Sequence, residues 1–172
     1  MKKSDVPRQP SYFDTYLNQV EDLELSAAFQ QSVVAIDALD LEKIHAIGDR
    51  VYAPRKWTLR DVFQHITDCE RVFVYRALRF ARHDKTALPG FDEHLFAEMA
   101  GANRRSLEEI LAELRSVRAS TMLFFNSLDE AALRRTGIMY KSELPVLAVG
   151  FIAVGHQNHH LQIMEERYFP LV

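Results

Sequence analysis

The chain has 172 residues, of which 48% are hydrophobic and 26% charged, with a net charge of −3 at pH 7; this fits one globular domain with a single sizeable core. So small a net charge lacks the basic field on which nucleic-acid binding draws. Cys69 is the one cysteine, so an intramolecular disulfide scaffold is excluded.

The first ten residues, Met1 to Pro10, are polar and carry no apolar core of signal-peptide length. Pro7 and Pro10 block helix there, so residues 1–10 read as a flexible arm ahead of one domain over 11–172. A short helical piece is expected from Ser11 to Leu17, and a first long helix from Asp22 to Leu39. In the latter, Leu25, Ala28, Phe29, Ser32, Val33, Ile36 and Leu39 fall on one stripe. Asp40 to Lys56 reads as a connection with at most one turn inside it. The second helix starts at Thr58, a good N-cap with Asp61 three residues on. Its stripe of Val62, Phe63, Ile66, Cys69, Phe73, Ala77 and Phe80 runs to about His83. A short helix from Glu93 to Met99 interrupts an irregular stretch that opens with Pro89-Gly90. Ser106 and Glu109 form a second capping box, starting a helix to about Ser127. One further turn is expected at Asp129 to Leu133, and extended or loop structure at Thr136 to Lys141. The last helix starts near Leu144, with Pro145 in its first turn, and ends before Pro170.

Four long amphipathic segments describe an all-α four-helix bundle. The longest apolar run, from Leu144, is broken by Pro145, Gly150 and Gly155 and is too short to span a bilayer. A cytoplasmic protein with no membrane or nucleic-acid partner follows as the expectation. The arginines at 71, 76, 79 and 82, and at 104, 105, 115 and 118, sit among acidic neighbours and read as solvated helix faces.

The strongest chemical signal is near the C-terminus. His156 and His160 are four apart on an expected helix, so both imidazoles project from one face. That spacing lets two nitrogens reach one ion. The plain alternative is a polar helix end with solvated histidines. Two observations weigh against it. Apolar residues flank the pair on both sides, and His65 sits in the same kind of setting inside the second helix. Imidazoles buried without partners are unfavourable, and a metal or a full hydrogen-bond network offsets this.

The order of several segments resembles the DinB/YfiT superfamily. These are Tyr52 to Thr58, Asp61-Val62 with His65 to Asp68, Tyr75 to Arg82, Pro89 to Glu93, and Gly155-His156 with His159-His160. The resemblance extends over about residues 12 to 168. It implies a four-helix bundle, commonly a homodimer, that binds a divalent metal, often nickel or zinc. One histidine of the second helix and a His-x-x-x-His pair of the last helix hold the ion. By position, those ligands are His65, His156 and His160. Three neutral imidazoles leave open coordination positions, whereas a structural zinc site is closed by four protein ligands. Such an ion acidifies a bound water or thiol. The superfamily implies matching activities: transferases using low-molecular-weight thiols such as bacillithiol or mycothiol, a mycothiol-dependent isomerase, and hydrolases.

Around that centre, Asp68 and Glu70 are candidates for a catalytic base, with ion pairing on the helix surface as their alternative. His159, Tyr75, Arg76 and Asp92 are candidate substrate contacts. Cys69, four residues after His65, reads first as a small buried hydrophobe, with a fourth ligand or a thiol beside the ion as the alternatives. The leading functional expectation is a metal-dependent enzyme acting on a small electrophile with a thiol or water. A non-catalytic metal-binding stress-response protein and a metal-free helical interaction module are the alternatives. A substrate cleft beside the metal separates the first from the second.

Overall fold

The computed structural model describes residues 1–7 and 12–172. The helices are α1 (Asp14–Leu17), α2 (Leu25–Asp37), α3 (Leu41–Ile47), α4 (Leu59–Ala81), α5 (Glu93–Ala100), α6 (Leu107–Asn126), α7 (Glu130–Leu133) and α8 (Val146–Ile163). Strands β1 (Thr136–Met139) and β2 (Ser142–Pro145) form an antiparallel hairpin ahead of α8. Helices α2, α4, α6 and α8 make the bundle. Both α4 and α2 pack against α6 and α8, so α4 and α2 occupy opposite corners.

Local chemistry sets the two longest helices. The Thr58 hydroxyl accepts from the Asp61 amide at 3.2 Å, and the Thr58 amide donates to the Asp61 carboxylate at 3.1 Å. Asn103 adds a bond to the same carboxylate at 3.0 Å, tying the start of α4 to the approach to α6. Ser106 and Glu109 make the second box, at 3.1 and 2.9 Å. Each box satisfies backbone donors that the first helical turn leaves unpaired.

Helix α8 is of a different kind. Every residue from Val146 to Gln157 is buried, so this part of the helix has no solvated face. A helix apolar all round must be covered on all sides. Besides α2 and α4, the hairpin, α7, the N-terminal turn and α1 pack on it. Gly155 permits the closest of these approaches. A Cβ there would stand 1.9 Å from the Tyr16 carbonyl oxygen. Helix α1 therefore lies directly on the backbone of α8.

Several boundaries differ from the sequence expectations. Helix α2 begins at Leu25 rather than Asp22, because the N-terminus pairs with the preceding residues. The Ser4 amide donates to Asp22 at 2.8 Å and the Lys3 amide to the Leu23 carbonyl at 3.1 Å. Residues 1–7 thus carry a tied 3-10 turn at Lys3–Asp5; the rest of the expected arm, and Ser11, lie outside the described residues. The connection after Asp40 contains a full helix, α3, capped by the Asp40 carboxylate at the Lys43 amide (2.9 Å). Of the extended or loop structure expected from Thr136, Thr136 to Met139 is extended, as a strand; Pro145 lies ahead of α8, not in its first turn, as the strand partner of Thr136. Past Ile163, helical winding continues through a wider π turn at Met164–Tyr168.

Two arginines read as solvated are buried. Arg118 is 0% exposed; its Nε and Nη2 donate to the two Glu70 oxygens at 2.9 and 2.8 Å. Its remaining nitrogen donates to Ser32, whose hydroxyl donates to the Phe29 carbonyl at 2.6 Å. Arg76 is 6% exposed. Spacing among acidic residues does not reveal this, because burial depends on which helix lies across the stripe. No helix among the described residues is long and apolar enough to cross a membrane.

Arg118→Met strands the Glu70 carboxylate in the bundle and should lower stability by roughly 3–5 kcal/mol. Urea denaturation measures this, and Glu70→Leu combined with Arg118→Met should recover most of the loss. An unshifted midpoint in the single variant would contradict the ion pair. Gly155→Ala should cost about 1–3 kcal/mol, since Tyr16 backbone must move. Gly150→Ala, which meets only the tips of Leu25 and Phe125 side chains, should cost less.

Candidate metal centre

Helix α4 presents His65 two turns after its cap, within the stripe that packs on α8. Helix α8 presents His156 and His160 one turn apart toward it. The three side chains meet. His65 Nε2 lies 3.1 Å from His156 Nε2, and His160 Nε2 lies 3.2 Å from the same atom. The His65 and His160 ring centroids are 4.9 Å apart. His65 and His156 are 5% and 3% exposed, and His160 is half-buried. An aromatic shell encloses them. Trp57 stacks on His65 at 4.6 Å, Phe73 meets His156 edge-on at 5.5 Å, and Tyr16 meets His156 at 5.1 Å.

Burial depresses the basicity of all three rings. It holds the His65 pKa down at about 4, with His94 adding to the effect, and that of His160 at about 3, where His65 and His159 contribute. His156 is pushed well below the ordinary histidine range by burial and then by its neighbouring imidazoles. At neutral pH the rings are therefore uncharged, the form that ligates metals.

The donor set can be tested against a metal without reference to any relative. A neutral imidazole nitrogen either donates one proton or accepts one. One proton on His156 Nε2 serves one neighbour well and must be split to serve both. Three convergent nitrogens are thus poorly satisfied by hydrogen bonds alone. A cation within reach of all three would satisfy them at once. Nitrogens held about 2.0–2.1 Å from a tetrahedral ion stand roughly 3.3 Å from one another, close to the observed 3.1 and 3.2 Å. The residues present fit a divalent metal.

Cys69 joins this group. His65, Cys69 and His156 are all buried and offer ligand atoms within 4.8 Å of one another. The sulfur is 3.5 Å from His65 Nδ1 and 3.7 Å from Nε2. The thiol therefore lies in hydrogen-bonding range of the His65 ring. Burial, then Glu93 and Asp68, raise the thiol pKa.

The remaining sequence candidates divide. Glu70 does not reach the histidines; both its oxygens are held by Arg118 on the far side of α4. Asp68 accepts from Gln64 at 3.1 Å and Arg71 at 3.3 Å. Arg71 and Arg105 in turn share Glu113, which places Asp68 in an ion-pair network between α4 and α6. Glu70, five residues after His65, is turned off the face His65 occupies; Asp68, three residues after it, shares that side but is held by Gln64 and Arg71. Tyr75 is exposed, and its hydroxyl accepts from Arg79 at 2.5 Å. His159 packs on Tyr16 and His160, at 5.6 and 5.2 Å, beside the cluster.

Arg76 and Asp92 line a cavity of about 320 Å³ together with Cys69 and His156. Aromatic side chains supply much of its wall: Tyr12, Phe13, Tyr16, Phe73, Phe91 and Tyr140. Asp92 also caps α5 by accepting from the His94 and Leu95 amides at 3.0 and 3.1 Å. The sequence reading did not single out Tyr16, Phe91 or Glu93, which also lines the cavity. Phe91 and Glu93 lie in the Pro89 to Glu93 segment that carries part of the family resemblance; for Tyr16 the one signal was the bunching of Tyr12, Phe13 and Tyr16, in a helix too short to show a periodicity. A second cavity of about 530 Å³ lies beyond Trp57, lined by Asp61, His94 and Arg104 among others, with none of the three clustered histidines in its wall.

Depressed histidine pKa values have a definite consequence for the ion-free protein. Unfolded, each ring takes up a proton near pH 6.5; folded, His65 does so only near 4 and His160 near 3. Between these limits the unfolded chain binds more protons, so stability falls as pH falls. Chelator-treated protein should be fully stable above about pH 7 and lose a few kcal/mol by about pH 4 to 5. Urea titrations across this range measure it, and a flat profile would contradict the buried neutral rings.

Comparison with known proteins adds to this geometry. No curated protein matches the sequence. Among solved structures, YfiT from Bacillus subtilis, a probable metal-dependent hydrolase with an unusual four-helix bundle topology, superposes with a TM-score of 0.67. It is 19% identical, with 96% of this chain and 92% of that chain covered, a likeness of fold. The family model of the DinB superfamily matches residues 15–164, spanning all four bundle helices and the histidine cluster, and the chain belongs to that superfamily.

Proposed function

We propose that this protein is a metal-dependent enzyme that activates a thiol or water for attack on a small electrophile. His65, His156 and His160 hold the ion, with nickel or zinc as the metals suited to imidazole donors. The observation that carries the reading is the cavity of about 320 Å³ whose wall includes His156 and Cys69. A protein that merely stores or senses a metal needs no such aromatic-lined recess beside it. An ion on neutral imidazoles keeps its full charge and an open position, and so lowers the pKa of a bound water or thiol.

The chain's own residues supply the rest. Phe73, Tyr16 and Trp57 exclude water from the histidines and so strengthen electrostatic effects among them. The carboxylates facing the cavity are Asp92 and Glu93, not Asp68 and Glu70. Asp92 spends one oxygen on capping α5, and Glu93, with no such bond among the described residues, is the proton acceptor in this proposal. The neighbour's description as a probable metal-dependent hydrolase agrees with water as one nucleophile. A low-molecular-weight thiol as the other, a homodimeric assembly and a cytoplasmic setting rest on the sequence resemblance and belong to the same proposal.

Elemental analysis of the purified protein should find one nickel or zinc ion per chain. His160→Ala should weaken metal affinity by at least roughly 10- to 100-fold while circular dichroism stays helical. Metal-loaded protein should turn over in a panel pairing cellular thiols and water with electrophiles and esters. Chelation should abolish that turnover, and metal should restore it. Absence of stoichiometric metal would overturn the metal assignment; a loaded protein inert across the whole panel would overturn catalysis.

A further inference from the structure

The cavity holds a cation that the proposed chemistry has not used. Arg76 is 6% exposed, yet among the described residues no carboxylate lies within 4.0 Å of its guanidinium. The acids that pair with nearby arginines are taken: Glu70 by Arg118, and Asp84 by Arg79. Asp92 caps α5, and Glu93 stands exposed at the cavity's edge. What holds Arg76 in place is weaker. Its Nη2 donates to the Pro89 carbonyl at 3.2 Å, and its guanidinium lies 5.9 Å from the Phe91 ring centroid. Burial lowers its pKa from the ordinary arginine value, which means the charge is held at a cost that a bound anion would relieve. Five fixed donors with one protein acceptor leave a fork matched to a carboxylate.

We infer that Arg76 is a specificity-determining residue, and that the ligand of this cavity carries a carboxylate on an aromatic or apolar body. The walls fit that body: Tyr12, Phe13, Tyr16, Phe73, Phe91 and Tyr140 surround a space near the small end of ligand sites, which run roughly 300–1,000 Å³. Arg76 lies seven residues, two turns, after Cys69 on α4, so the guanidinium stands along the helix from the histidine cluster. A substrate anchored by its carboxylate at Arg76 would extend its body over Phe73 toward His156. This rests on the cavity being the substrate site, and it names the substrate class for it.

Isothermal titration calorimetry with phenylacetate and its neutral isostere phenylacetamide tests this, in metal-loaded and in chelator-treated protein. Wild-type protein should favour the acid by about tenfold or more in both states. Arg76→Gln should weaken phenylacetate by roughly 10- to 100-fold, leave phenylacetamide within about twofold, and so erase the preference. Arg76→Lys should recover part of it, since lysine offers charge without the planar fork. If Arg76→Gln does not fold, the wild-type preference and the Arg76→Lys variant still decide. Equal binding of acid and amide to wild type, or no binding of phenylacetate, overturns the inference. A preference that survives Arg76→Gln but vanishes on chelation also overturns it, because the carboxylate is then on the metal. Protein without metal that retains an Arg76-dependent preference would uphold the subsite while the metal reading fails.

Discussion

Three uncharged imidazoles aimed at one another across two helices are the constraint on which this structure turns. Each ring is buried enough that taking a proton is strongly disfavoured, so the cluster cannot settle by becoming cationic. Nor can one proton serve both short nitrogen contacts of His156. A cation would complete such an arrangement. Its geometry requires α4 and α8 to be fixed in register to a fraction of an ångström.

The rest of the fold supplies that fixation. The Thr58–Asp61 box sets the phase of α4, and Asn103 locks the box to the approach to α6. The Arg118–Glu70 pair clamps α4 to α6 from within the bundle, and its link to Ser32 brings in α2. Gln157, next to His156, donates to the Ser32 backbone at 2.9 Å, so the same junction reaches α8. Gly155 lets α1 rest on the α8 backbone, which brings Tyr16 onto His156. Polar groups buried for structural reasons thus stand one helical turn from those buried for chemistry.

Charge follows the same division. Arg118 is matched by a bidentate carboxylate and acts as a structural pin. Arg76 is buried to a similar degree without a carboxylate partner among the described residues, and it opens on the cavity. Two residues of the same type, both on stretches read as solvated faces and one of them also a candidate substrate contact, therefore play opposite parts. What separates them is whether the facing helix contributes an acid.

From sequence alone, the helical architecture was legible because it rests on local rules. Period and capping placed α4 and α6 within a residue or two, and the His156–His160 spacing implied two rings on one face. The short helices α1, α5 and α7 were placed near where they lie, but the length of α3 and the pairing of the two four-residue strands escaped, because so few residues carry no period and pairing is not local. The roles of Glu70 and Asp68 also escaped, since their partners decide them: Arg118, from α6, takes Glu70, and Gln64 and Arg71 take Asp68. That His65 meets a pair 91 residues away, that Arg118 finds Glu70, and that Arg76 does not find an acid are facts of packing between distant segments. Sequence determines which residues share a helix face; only the tertiary arrangement of the four helices decides which faces meet, and that meeting makes the candidate centre.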